Sequence, residues 1–259
     1  MLCKEIIEKI EETYPKNRAM DWDNVGLLVG STEKEVSKIF IGLDLTDEVI
    51  EEAIKWGADM IVTHHPLIFS PLRSVTNQSF IGRRVIRLIQ HDIAYYAMHT
   101  NYDILRMAEL ASDIIGLQEA EVLETVFQEE KAEGIGKIGL FSEDMTLEEC
   151  CKLIKERFHL ESVKVFGDLS RKVKKAAICP GSGKSVIQES LKKKADVLIT
   201  GDIDHHEGID AVARNLMIID AGHYGLEHIY IEDMQKYLGR RLSGIEIKAM
   251  DLKAPFQVI

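Results

Sequence analysis

Cysteine, proline and long apolar runs are all scarce in this chain, and each scarcity removes a class of protein. Among 259 residues there are four cysteines, Cys3, Cys150, Cys151 and Cys179, and no Cys-x-x-Cys pair. A disulfide framework is not expected, and a reducing compartment is. Five prolines and 18 glycines, with 46% hydrophobic and 29% charged residues, make an ordinary globular composition. No run reaches the roughly 18 apolar residues of a membrane span. Residues Met1 to Glu12 interleave charged and apolar positions, so the start has no signal-peptide core. The expectation is a cytoplasmic protein that makes no membrane contact.

Basic charge is also in deficit: 32 basic residues stand against 43 acidic ones, a formal charge of −11. Nucleic acid is therefore not an expected partner. The one basic cluster, Arg171-Lys172-Val173-Lys174-Lys175, precedes an apolar run and reads as a solvated strand entry.

What the chain does contain is a repeat. Ile41-Gly42-Leu43-Asp44-Leu45-Thr46, a helical stretch, and Ala58-Asp59-Met60-Ile61-Val62-Thr63-His64 form one strand–helix–strand unit. Ile178-Cys179-Pro180-Gly181-Ser182-Gly183, a helical stretch, and Ala195-Asp196-Val197-Leu198-Ile199-Thr200-Gly201 form a second, 137 residues on. That order implies a parallel βαβ crossover in each half. The match resumes with His91 to His99 against Asn215 to His223, now 124 residues apart. Each half then ends a strand with His-x-x-x-carboxylate: His99 with Asp103, and His223 with Glu227. The expected fold is α/β, with two related α/β lobes of about residues 1–125 and 126–259 sharing a metal cleft at their strand ends. The polar stretch Gln128 to Gly134 reads as the linker.

His64 and His65 follow the run Met60-Ile61-Val62-Thr63, and Pro66 ends the strand after them. On an extended backbone the two imidazoles point to opposite faces, so two neighbouring ions, one per histidine, fit better than one. Four-residue spacing brings the members of each His-x-x-x-carboxylate pair to one side of a helix or tight turn. A carboxylate can then bridge two ions about 3.5–4 Å apart. Imidazole and carboxylate donors without thiolate suit Zn, Mn, Fe, Co or Ni.

Other features carry less. Gly181-Ser182-Gly183-Lys184-Ser185 looks like a phosphate loop, but Ile178 stands where that pattern needs glycine. His205 and His206 form a second pair, four residues past the positions equivalent to His64 and His65, and read as surface or helix-cap histidines, with a role lining the cleft as the alternative. His91, His159 and His228 read as structural. Trp22-Asp23-Asn24-Val25-Gly26-Leu27 is an aromatic and glycine turn leading into a strand, and reads as packing at the sheet edge.

The motifs Asp21-Trp22-Asp23-Asn24-Val25-Gly26-Leu27, Thr63-His64-His65-Pro66, His99-Thr100-Asn101-Tyr102-Asp103, Thr200-Gly201-Asp202 and Gly222-His223-Tyr224-Gly225-Leu226-Glu227 resemble the GTP cyclohydrolase I type 2 homolog (NIF-three-like) family over essentially the whole chain. The resemblance implies two divalent metal ions per subunit, held by His64, His65, Asp103, His223 and Glu227, with His99 beside them. It also implies a toroidal homohexamer, a trimer of dimers. The chain is too short for the inserted mid-chain domain of some members, and it has Gly136-Lys137-Ile138-Gly139 where many carry arginine. The function implied is a dinuclear metal-dependent hydrolase acting on a nucleotide or related small molecule through a metal-activated water. The alternative is a non-enzymatic metal-binding ring that stores metal, scaffolds or regulates.

Overall fold

The runs Lys38–Gly42 and Met60–Thr63 are buried at almost every position, the pattern of parallel strands covered on both faces. All residues 1–259 are described in this computed structural model. Its strands in chain order are β1 (Gly26–Val29), β2 (Lys38–Gly42), β3 (Met60–Thr63), β4 (Ala94–Ala97), β5 (Gln118–Gln128), β6 (Ala132–Thr146), β7 (Lys164–Phe166), β8 (Lys172–Ser182), β9 (Val197–Gly201), β10 (Met217–Asp220) and β11 (Glu246–Ala249). The chain separates into two compact units, Met1–Tyr102 with Tyr230–Leu252, and Asp103–Ile229 with Lys253–Ile259.

The first unit has a five-stranded sheet in the order β1-β4-β3-β2-β11. Its strands are parallel except β1, which runs antiparallel to β4 at the edge. The crossover helix Asp47–Trp56 is punctuated as its sequence dictates. The Thr46 hydroxyl accepts from the Val49 amide at its start, and Gly57 takes a left-handed φ of 76° at its end. Its apolar face, Val49, Ile50 and Ala53, joins Phe40, Ile61 and Tyr95 in one core.

The second unit has a six-stranded sheet in the order β5-β6-β8-β9-β10-β7. Here β8, β9 and β10 are parallel, while β5, β6 and β7 are antiparallel to their neighbours. The stretch Gln128 to Gly134 is a hairpin tip and not a linker, since Gln128 pairs with Ala132 and Thr125 with Gly134. Polar, glycine-containing residues serve a linker or a tight turn equally well, and the partner strand decides. The helix Leu147–Arg157 opens on a Thr146–Glu149 capping box and buries Cys150 and Cys151.

The repeat recurs in a matching set of hydrogen bonds at the start of the two crossover units. Asp59 accepts from the Ser37 and Lys38 amides at 2.8 and 3.0 Å, and Asp196 accepts from Lys174 and Lys175 at 2.9 and 2.8 Å. One register detail differs from the sequence match. Thr63 opposes Ala97 and Thr200 opposes Asp220, so the last strands correspond at 123 residues. The extra residue falls between strand and histidine, beside Gly222 with its φ of 77°. No helix is long and apolar enough to cross a membrane.

Candidate metal centre

At the end of β3 the ladder stops, and the His64 and His65 amides both donate to the Leu43 carbonyl, at 3.1 and 3.0 Å. Two successive amides on one acceptor make a turn, which cancels the alternation of an extended chain. The two imidazoles therefore converge, with ring centroids 4.7 Å apart. This corrects the expectation of opposite faces, which held only while the backbone stayed extended. The turn is fixed from below: the buried Tyr95 hydroxyl donates to the His65 carbonyl at 3.0 Å and accepts from the Leu67 amide at 2.9 Å. Burial pushes that hydroxyl's pKa to about 12.

His99, just past β4, brings its ring within 5.2 and 5.4 Å of His64 and His65. The three offer nitrogen atoms within 4.8 Å of one another, a group able to hold a metal ion. Each has its Nδ1 against an acceptor: Met98 carbonyl for His64 at 3.0 Å, Asp44 for His65 at 2.8 Å, and Asp23 for His99 at 2.9 Å. An acceptor at Nδ1 places the proton there and leaves Nε2 as the lone-pair nitrogen, as metal-binding histidines require. Burial would raise the Asp23 carboxyl, but hydrogen bonds from His99 and Thr100 hold it at about 2.

The second unit uses the same device. His223 opens the helix His223–Glu227, with its Nδ1 2.8 Å from Asp202 and its Nε2 2.9 Å from Glu227. Burial would lower the His223 pKa, but Glu227 and Asp202 outweigh it and raise the value to about 9. The pair thus favours positive charge. Glu227 is only 3% exposed, and a buried carboxylate calls for a cation or strong donors. Asp103 begins the π-helical turn Asp103–Met107. Burial first, and then the charges of Asp103 and Glu227, push the Cys179 thiol upward. Two glycines make room: a Cβ on Gly181 would lie 2.5 Å from Glu227 Oε1, and one on Gly201 2.5 Å from the His223 amide. Asp202 itself adopts a left-handed φ of 56°, which aspartate tolerates and most residues do not.

The remaining histidines stay apart. His205 and His206 sit exposed on the first turn of the helix His205–Ala213. His228 is buried, 3.0 Å from the Phe158 carbonyl. Sequence reasoning passed over Asp44, Asp23 and Asp202 as partners of the histidines. The signal was available in the chemistry, because every ligating imidazole needs an acceptor at its second nitrogen. The turn Trp22 to Leu27 leads into the edge strand β1; the Trp22 side chain itself is 65% exposed, with its ring 6.0 Å from that of His99.

Fold and site together define a class: a two-sheet α/β protein whose strand ends carry imidazoles oriented by carboxylates, a donor set for borderline divalent metals. The chain belongs to the Duf34/NIF3 (NGG1p interacting factor 3) family, whose model matches residues 1–255. It is 36% identical to a GTP cyclohydrolase 1 type 2 homolog of Clostridium perfringens, covering 100% of both chains. It is 34% identical to one from Methanocaldococcus jannaschii, covering 97% of this chain and 100% of that one. Among solved structures, a Staphylococcus aureus hypothetical protein matches with TM-score 0.92 and 29% identity, covering 100% of this chain and 99% of that one. Reduced HcgD from Methanocaldococcus jannaschii matches with TM-score 0.84 and 33% identity, covering 97% and 98%.

Proposed function

We propose that the chain is a metal-dependent hydrolase of a nucleotide or related small molecule, with His64, His65, Asp103, His223 and Glu227 as ligands of two divalent ions. The observation that carries the reading is the keying of the imidazoles: His64, His65 and His223 each have an acceptor on Nδ1, and the Nε2 of His223 lies against the buried Glu227 carboxylate. A protein with no use for cations has little reason to hold a buried carboxylate 2.9 Å from one of these nitrogens. When bound, such ions lower the pKa of a water toward neutrality and stabilise developing negative charge. The chain's own part is positional: Asp44 and Asp202 fix the tautomers of His65 and His223, while Asp103 and Glu227 supply the neutralising carboxylates. The name that the relatives carry, GTP cyclohydrolase 1 type 2 homolog, supports a nucleotide substrate. We further propose a homohexamer, a trimer of dimers, and a cytoplasmic setting, the latter supported by four free, buried cysteines.

The test is turnover. Full-length protein loaded separately with zinc, manganese and iron(II) would be offered GTP, other nucleotides, phosphodiesters and cyclic amides. The reading expects hydrolysis of at least one class, lost in His64→Ala and Glu227→Ala proteins that still assemble. No turnover of any class, with metal bound and assembly intact, leaves the metal-binding ring as the better account.

A further inference from the structure

Trp22 and Phe69 are large aromatic side chains left 65% and 51% exposed. Isolated exposed apolar residues need no explanation, but these two share a neighbour. Both rings stand steeply inclined to His99, with centroids 6.0 and 5.8 Å from its imidazole.

Their placement is built and not incidental. The Asp23 side chain has no exposed surface, and it accepts from the Asn24 amide at 2.8 Å, His99 Nδ1 at 2.9 Å and the Thr100 amide at 3.0 Å. The Asn24 side-chain amide donates to the carbonyl of Ile68, the residue before Phe69. One Asp–Asn pair therefore ties the turn bearing Trp22, the loop bearing Phe69 and the His99 ring into a single unit. With Nδ1 engaged by Asp23, His99 keeps Nε2 as an acceptor on a ring that both aromatics neighbour. Aromatic side chains and one oriented acceptor are what a planar ring needs: the former stack, and the latter accepts an edge N–H.

We propose that Trp22, Phe69 and His99 form a recognition wall for a planar heteroaromatic ligand carrying an N–H donor on its ring edge. This deepens the hydrolase reading by naming the ring as the recognised part of the substrate, and it rests on that reading's choice of site.

The experiment reads binding, independently of turnover. The chain has two tryptophans, so a Trp56→Phe background leaves Trp22 as the sole reporter. Guanosine, with ribose as the ring-free control, would be titrated into metal-loaded full-length protein while Trp22 emission is followed. The expected result is saturable quenching by guanosine, none by ribose, and binding roughly tenfold or more weaker in Phe69→Ala and His99→Ala, in keeping with base–aromatic stacking. Absent quenching, equal quenching by ribose, or unchanged affinity in both variants overturns the wall. So does emission that follows protein concentration and not guanosine, which would make these rings an interface between copies. Quenching without turnover defeats the hydrolase reading alone, and turnover without quenching defeats the wall alone.

Discussion

Asp202 turns its backbone through a left-handed φ of 56° and so sets a carboxylate oxygen 2.8 Å from His223 Nδ1. In the first unit Asp44 stands in the same relation to His65, also at 2.8 Å, from a different place in the repeat. Two non-equivalent aspartates meeting one requirement points to the requirement itself, a fixed imidazole with Nε2 presented.

Removing that charge is the first prediction. Asp202→Asn keeps the side chain's shape but weakens its hold on the Nδ1 proton. Affinity for zinc or manganese, measured by competition against a chelating dye, should fall about 10- to 100-fold. Unchanged affinity would strip Asp202 of its orienting role.

Tyr95 makes a second prediction. Its hydroxyl holds the turn that brings His64 and His65 together, and Tyr95→Phe leaves the buried Leu67 amide without its acceptor. Loss of a buried partner costs about 1–3 kcal/mol, readable as a lowered urea midpoint. Metal affinity should fall alongside, because the His65 carbonyl loses one of its two donors and keeps only the Thr63 hydroxyl. A variant as stable as the parent with full metal affinity would show that the turn stands unaided.

Asp59 gives a pH dependence. Burial would raise its carboxyl, but hydrogen bonds from Ser37 and Lys38 more than offset this and lower its pKa. A lowered folded pKa means the contribution is complete above the ordinary aspartate value, about 3.9, and is lost as pH falls through the folded value. Asp59→Ala should therefore cost about 1 kcal/mol at pH 7, and the gap to the parent should shrink below roughly pH 4. A gap that holds constant down to pH 3 in urea titrations would assign the effect to packing.

The sequence carried the parallel strands, the repeat and the ligand-type residues, because buried βαβ units leave apolar runs and strand-end histidines in plain order. It did not carry the convergence of His64 and His65, which depends on one carbonyl, that of Leu43 just past the preceding strand on the far side of the crossover helix, accepting both amides. Nor did it carry the return of β11 to pair with β2, register Ile247 to Ile39, since that strand has no counterpart in the repeat. The role of Gln128 to Gly134 is hidden for a related reason: a hairpin tip and a linker share the same polar composition, and only the pairing of the flanking strands separates them.

The central claim is that five residues hold two ions, and metal content tests it most directly. Full-length protein saturated with manganese or zinc and freed of excess metal would be measured by plasma mass spectrometry, alongside alanine variants at His64, His65, Asp103, His223 and Glu227. The account predicts close to two ions per chain in the parent and no more than one in each variant. Less than one ion in the parent, or full content in the variants, would contradict it.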